Sequence, residues 1–329
     1  MQFGASIYTP QVHPSLSTIL GAREFLKQYL PVTRLVPAPS LSGRAHCRAY
    51  LKLENELPTG SFKPRGALYG LATNLAQHNS REVTAASTGN HGAAVAYAAK
   101  QLGLEATIFL PENPNPVKRG KIAALGARIE ERGIGDLSEA FRHAQAYSEK
   151  EGVYFLNDAT DPDLPAGPAT IACEILEQLP ETNVIYVPMG DTALIRGVAA
   201  ATKQLSPKVR IIGVQAERAP SYYLSWKEGR AVETESCDTM ADGLATRTPD
   251  AANVRVIREL VDEVCLVSET QMLDAIRHLL FEEHVVAEPA GAAATAALLS
   301  SNIENQGNVV LLVTGANIAA DVLRAAVCG

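Results

Sequence analysis

A lysine enclosed by small and turn-forming residues is the first candidate for chemistry in this chain. Lys63 lies in Pro58-Thr59-Gly60-Ser61-Phe62-Lys63-Pro64-Arg65-Gly66-Ala67, after the apolar stretch 49–53, where a strand is expected to give way to a helix. An amine that is partly dry and near the positive start of a helix loses some of its proton, so it can attack a carbonyl and form a Schiff base. The same residue also reads as a solvated loop lysine beside a turn. Three other segments weigh against that plainer reading.

The first is Ser87-Thr88-Gly89-Asn90-His91-Gly92, which follows the apolar run 83–86 and opens the alanine-rich stretch 93–102. Strand, tight turn and helix in that order gather backbone N–H groups and two hydroxyls at a helix start, which suits an anion. The second is Val187-Pro188-Met189-Gly190-Asp191-Thr192-Ala193-Leu194, again a strand entering a helix and suited to a phosphate. The third is Val313-Thr314-Gly315-Ala316-Asn317, a late strand ending in a hydroxyl and a glycine turn. None is specific alone. Their order along one chain is.

The elements that must carry these turns alternate. Strands are expected at 106–110, 127–130, 153–156, 183–187, 209–214, 264–267 and 308–313, and helices at 136–150, 169–178, 192–204, 269–284 and 291–300. Asp136 and Glu139 have capping-box spacing. The proline-rich run 111–116 reads as turn or linker. Such alternation predicts a parallel α/β architecture with helices on both faces of the sheets.

With Lys63 and these turns, the chain resembles the fold-type II pyridoxal-phosphate enzymes, in particular the threonine/serine dehydratase and serine racemase branch. Further segments carry the resemblance: Asp161-Pro162-Asp163 leading to 166–175, Thr239-Met240-Ala241-Asp242-Gly243-Leu244-Ala245, and Ala287-Glu288-Pro289-Ala290-Gly291-Ala292. The resemblance implies two three-layer α/β/α domains with mostly parallel sheets, like the tryptophan synthase β chain. A small domain at 81–157 would be inserted into a large one made of 1–80 and 158–329, with pyridoxal 5'-phosphate in the cleft. Lys63 would hold the cofactor and act as the base at the substrate Cα, with Phe62 near the ring. Asn90 would bond the cofactor's phenolic oxygen. Ser87, Thr88, Gly89 and His91 would bind the substrate carboxylate. Gly190, Asp191, Thr192, Ala193 and Leu194 would form the phosphate turn, Glu288 would lie near the ring or substrate, and Thr314 would face the pyridine nitrogen.

Two departures from the branch stand out. Its phosphate turn is usually a run of glycines, whereas here Gly190 is followed by Asp191, whose carboxylate repels a phosphate unless it points away, for instance as a helix cap. Racemase-like relatives hold a divalent cation through a glutamate and an aspartate where this chain has Gln215 and Ser221, so no metal site is expected.

Composition sets the remaining bounds. The chain has 329 residues, 47% of them apolar, with a mean hydropathy of zero, a net charge of −7 and a pI near 5.6. The acidic balance argues against nucleic acid and anionic membranes as partners, and no apolar run is long enough for a membrane span. No signal peptide is expected, and five scattered cysteines without C-x-x-C spacing fit a reduced, cytoplasmic protein. The implied enzyme is a dehydratase, or ammonia-lyase, converting a threonine- or serine-like β-hydroxy amino acid to a 2-oxo acid and ammonia, as a homodimer. Amino-acid racemisation, with Thr88 facing Lys63 across the substrate, and threonine-synthase-like replacement are the rival reactions. A non-catalytic protein that binds cofactor or amino acid is the rival of a different class. A dinucleotide-binding protein would need a G-x-G-x-x-G after the first strand, which the chain lacks.

Overall fold

The computed structural model describes residues 13–87, 89–112, 114–131, 133–135, 137–301 and 307–329. Its strands are β1 (Leu35–Pro37), β2 (Arg48–Leu53), β3 (Glu82–Ala86), β4 (Glu105–Phe109), β5 (Arg128–Glu130), β6 (Val153–Phe155), β7 (Val184–Pro188), β8 (Arg210–Ala216), β9 (Glu263–Val267) and β10 (Asn308–Val313). Its helices are α1 (Leu16–Leu26), α2 (Pro39–Ala45), α3 (Pro64–Gln77), α4 (Asn90–Leu102), α5 (Pro116–Ala124), α6 (Leu137–Tyr147), α7 (Ala166–Gln178), α8 (Ala193–Leu205), α9 (Ser221–Glu228), α10 (Ala251–Leu260), α11 (Glu269–Phe281), α12 (Pro289–Leu299) and α13 (Ala320–Cys328).

Two sheets form. The larger runs β1-β2-β10-β7-β8-β9, parallel except for the β1–β2 pair, and the smaller runs β5-β4-β3-β6, parallel throughout. Alternation along β10 shows how the larger sheet is covered on both sides. Val309, Leu311 and Val313 pack with α11 and α12, while Val310 and Leu312 pack with α7, α8 and α10. A strand buried on both faces reads as a continuous apolar run, which is what 309–313 is. The smaller sheet is sandwiched likewise, with Val83 and Ala85 in a core shared with α3 and α4, and Phe109 in one shared with α6. The expected α/β architecture with two three-layer sandwiches holds.

Local chemistry sets the ends of the elements. Ser268 and Gln271 form a reciprocal capping box at the start of α11. Asn115 caps α5 by accepting from the Val117 and Lys118 amides, with Pro116 in the first turn. This corrects the linker reading of 111–116, because Pro116 begins a helix that its own fixed φ favours. Helix α7 starts three residues earlier than expected, since Pro168 falls in its first turn, where its missing N–H costs nothing. Helix α11 stops at Phe281, short of 284. Beyond it His284 takes a left-handed backbone (φ 57°), which no helix can continue through. The expected cap at Asp136 lies outside the described residues.

Candidate active site

Every functional turn lies at the carboxyl end of a strand, the usual location of ligands in open α/β sheets. The 190–194 turn follows β7, Thr314 follows β10, Ser87 follows β3, and Asp158 lies shortly after β6. One cavity is lined by Phe62, Lys63, Ser87, Asn90, His91, Gly190, Asp191, Thr192, Ala193, Leu194, Glu288 and Thr314. These are all but two of the residues singled out from the sequence. Gly89 is outside the lining, and Thr88 lies outside the described residues.

Lys63 is set by the segment before it and the helix after it. The Phe62 amide donates to Thr314 O (3.0 Å), and Ser61 bridges Gly315, so the lysine turn is pinned to the end of β10. Beneath it, Arg65 in the first turn of α3 is 2% exposed. Its Nε and Nη2 donate to Glu54 (2.8 and 2.9 Å), and its Nη1 and Nη2 donate to Glu174 (2.7 and 3.0 Å). Lys52, fully buried, donates to Glu174 (2.6 Å), to Thr33 O (2.8 Å) and to Gln178 (3.1 Å). Two cations and two carboxylates thus neutralise one another in a closed buried network. Lys63 itself donates to Asp158 Oδ2, and its ammonium stands 5.6 Å from the Phe62 ring centroid.

The ionisation of Lys63 corrects the expectation of a partly deprotonated amine. Burial works against its charge, but the Asp158 carboxylate, with Asp191 and Asp242 behind it, more than offsets this and raises its pKa. Asp158 is likewise opposed by burial, yet the charge and hydrogen bond of Lys63 hold it well below the usual carboxylate range.

The other turns have partners of their own. Ser87 Oγ accepts from the amides of Gly89 and Gly92 (both 2.9 Å), so this oxygen folds the turn, and only its O–H remains to reach a ligand. His91 is buried, its Nε2 2.9 Å from Leu156 O, and burial pushes its pKa down, leaving a neutral ring that anchors the helix start. Asn90 donates to Glu288 Oε1, and its Oδ1 accepts from Asn317 (2.7 Å). Glu288 Oε2 has no hydrogen-bond partner among the described residues, although Lys118 lies 3.6 Å away. Burial, with Asp242 adding repulsion, raises the Glu288 pKa. Thr314 is 4% exposed and only loosely engaged, its Oγ1 3.4 Å from Ala290 O.

Asp191 is not the helix cap suggested above. Thr192 holds the capping position of α8 with a left-handed backbone (φ 71°) and makes no side-chain capping bond. Asp191 Oδ1 instead accepts from Thr246 Oγ1 (2.9 Å). Burial and then the neighbouring Asp158 raise its pKa to about 6. The first amides of α8 face no intrahelical acceptor, and Thr192 Oγ1 is buried with no hydrogen-bond partner among the described residues. At Gly190 a Cβ would stand 2.2 Å from Gly243 O, so only glycine allows this approach.

Those features fit a phosphate-bearing cofactor, and the comparisons agree. Residues 26–315 match the family described as pyridoxal-phosphate dependent enzyme. The chain belongs to that family. It is 39% identical over 304 residues to L-threonine ammonia-lyase of Thermotoga maritima, covering 92% of this chain and 76% of that one. Among solved structures it superposes on the processed form of threonine deaminase isoform 2 from Solanum lycopersicum with a TM-score of 0.88 at 31% identity, covering 94% of this chain and 86% of the other. Maize serine racemase gives 0.89 at 28% identity, covering 94% and 96%. The expectation of a pyridoxal-phosphate dependent lyase therefore stands.

Sequence reasoning passed over four residues of this pyridoxal-phosphate site. Lys118 donates to Asp242 across the cavity, and a Cβ on Gly89 would lie 2.0 Å from its Cδ. Burial opposes its charge, but Glu288 and Asp242 raise its pKa. Lys121 bonds Asn317, and Thr246 holds Asp191. Reading Asn115-Pro116 as a helix start would have put Lys118 and Lys121 on one helical face. Asp158 could have been found from its place just after a parallel strand. Among the described residues no cluster of three or more His, Cys, Asp or Glu could hold a metal. Gln215 Oε1 accepts from the Tyr223 amide (2.9 Å), and Ser221 Oγ donates to Thr246 O (2.6 Å).

Proposed function

We propose that this lyase acts on a β-hydroxy-α-amino acid of the threonine or serine type, breaking its Cα–H and Cβ–O bonds with loss of water. A second water then releases ammonia and leaves a 2-oxo acid. The observation that carries this reading is the convergence of Lys63, the 190–194 turn and Thr314 in one cavity. Bound pyridoxal phosphate supplies an electron sink for the charge that develops at Cα. The amides at 190–194 and the Thr192 hydroxyl would hold its phosphate. Thr314, a neutral hydroxyl, would be the residue at the ring nitrogen and would leave it largely unprotonated, a weaker electron sink that favours prompt loss of the β-hydroxyl over a long-lived carbanion. Lys63 Nζ takes the Cα proton, and the start of α4 orients the substrate carboxylate. Asn90, fixed between Glu288 and Asn317, would be the residue that bonds the cofactor's phenolic oxygen.

We place the division of the chain at 80/81 and 157/158, supported by a smaller sheet drawn entirely from residues 82–155. We also propose a cytoplasmic homodimer. All five cysteines are unpaired, and no described helix is long and apolar enough to cross a membrane. Borohydride reduction followed by peptide mapping is expected to mark Lys63. L-Threonine or L-serine is expected to yield 2-oxo acid faster than the D-enantiomer. Label on another lysine, or faster inversion, would reject the reading.

A further inference from the structure

The cavity around Lys63 carries more carboxylates than ammonium groups, although it is read as taking a phosphate and an amino-acid carboxylate. Four carboxylates line it, those of Asp158, Asp191, Asp242 and Glu288, against the two ammonium groups of Lys63 and Lys118. His91 is buried with its ring 3.8 Å from Asp158, and burial keeps it neutral, so it does not redress the balance. Threonine or serine would add a carboxylate here while its only ammonium is engaged by the cofactor.

The carboxylates are not equivalent. Lys118 serves Asp242 and Glu288 together. Asp191 is tied to Thr246. Asp158 is paired with Lys63, the one residue here whose nitrogen must be a neutral amine, not an ammonium, when it takes the Cα proton of bound substrate. A buried carboxylate that loses its cation is strongly destabilised, so another cation is favoured beside it. Asp158 is also held in place for that task. The adjoining Ala159 carbonyl accepts from Arg196 Nη2 (3.0 Å) and Asn253 Nδ2 (2.9 Å), and the Ala159 amide donates to Asn157 Oδ1 (3.1 Å).

We infer that Asp158 is a specificity-determining residue and that the preferred substrate is a β-hydroxy-α-amino acid carrying a second, side-chain ammonium, which Asp158 binds. This deepens the dehydratase reading and rests on it. The geometry limits the length of the side chain. A base must come within about 3 Å of the Cα proton, and a charge-assisted bond spans about 2.8 Å, so Asp158 would lie at most about 6 Å from Cα. That reach suits an ammonium two or three bonds beyond Cα. The simplest such compound is threonine with an ammonium on its methyl group, 2,4-diamino-3-hydroxybutanoate. Its dehydration and deamination balance as for threonine, without oxidant or reductant, and the side-chain ammonium passes unchanged into the 2-oxo acid.

The test compares this compound with 3-hydroxynorvaline, which has a methyl in place of the ammonium, and with L-threonine, using the cofactor-loaded enzyme. A hydrogen-bonded charge pair in a partly dry site predicts a kcat/KM for the amino compound about 10- to 100-fold above its methyl isostere. In Asp158→Asn the ratio is expected to fall toward one. Calorimetry with L-2,4-diaminobutanoate and L-norvaline, which lack a β-hydroxyl to lose, gives the same comparison without turnover. Equal or better use of 3-hydroxynorvaline or threonine would overturn the inference while leaving the dehydratase reading intact. So would an Asp158→Asn variant that slows all substrates alike, since Asp158 would then serve Lys63 alone. Failure of every β-hydroxy amino acid to give a 2-oxo acid would instead reject the dehydratase reading, and the inference with it.

Discussion

Replacing Arg65 by methionine tests the claim that Lys63 stands on a fixed, electrically neutral base. The substitution keeps much of the side-chain volume and removes one of the two cations shared by Glu54 and Glu174. Glu174 would keep Lys52 at 2.6 Å, and Glu54 would keep only the Thr33 hydroxyl at 2.6 Å. Breaking a buried pair from one side costs about 3–5 kcal/mol, a large share of the roughly 5–15 kcal/mol that holds a domain together. In thermal unfolding that is a drop of about 6–10 °C. The deficit has a sign in pH. Carboxylates left without their guanidinium have raised pKa values in the folded state, so the variant's stability falls as pH rises through those values and recovers at lower pH. The deficit is therefore expected to be larger at pH 8 than at pH 5. Adding Glu174→Met should recover part of the loss, because residues in one network do not act additively. Because Arg65 sits two residues from Lys63, the cofactor absorbance band should also shift or weaken in Arg65→Met. Urea and thermal unfolding at both pH values decide it. A loss under about 1 kcal/mol, no pH dependence, or strict additivity would refute the reasoning.

Other outcomes follow from single contacts. Gly190→Ala puts a Cβ 2.2 Å from Gly243 O, a clash that backbone alone can relieve, so the cofactor Kd read by fluorescence titration should rise about 5- to 150-fold for a strain of about 1–3 kcal/mol. The Asp191 carboxyl, raised from 3.8 to about 6, binds its proton more tightly when folded, so it costs stability as pH rises through that window, up to about 3 kcal/mol above it. Asp191→Asn should therefore melt higher than the parent at pH 8, with the gap closing toward pH 4; a gap independent of pH would reject this. Gln215 and Ser221 are neutral and already bonded to Tyr223 N and Thr246 O, so a chelator should leave activity and Tm unchanged, and a loss restored by magnesium or calcium would contradict it.

What could be read from the sequence was what depends on local order. The turns at 87–92, 190–194 and 314–317 could each be recognised because a β-branched run, a glycine and a helix-forming run follow one another within a dozen residues. Strand β10 was legible because burial on both faces leaves five consecutive apolar residues with no polar alternation to confuse the register. The remainder depended on distance along the chain. Lys63 looked like a depressed amine because its neighbours are small and apolar, but Asp158, 95 positions away, sets its charge. Asp191 looked like a cap, yet Thr246, 55 positions on, holds it. Helix α5 was hidden by its three prolines at 111, 114 and 116, although the last is the one that starts it.

The polar contacts of the site fall into two kinds, and the difference bears on how it works. Under Lys63, the network of Lys52, Glu54, Arg65 and Glu174 is at most 5% exposed, and every contact in it lies where water cannot compensate a break. Across the cavity, α5 reaches the larger sheet's turns through Lys118 and Lys121, and the Asp242 carboxylate that meets Lys118 is 37% exposed. With one partner open to water, this pair can be partly replaced by solvent, so breaking it costs less than a break in the dry network. The base that holds the reacting lysine is therefore the more expensive part to disturb, and the Lys118–Asp242 contact across the cavity the less expensive. Substrate entry and product release need the second kind to yield while the first stays fixed, which is the order in which these residues would give way.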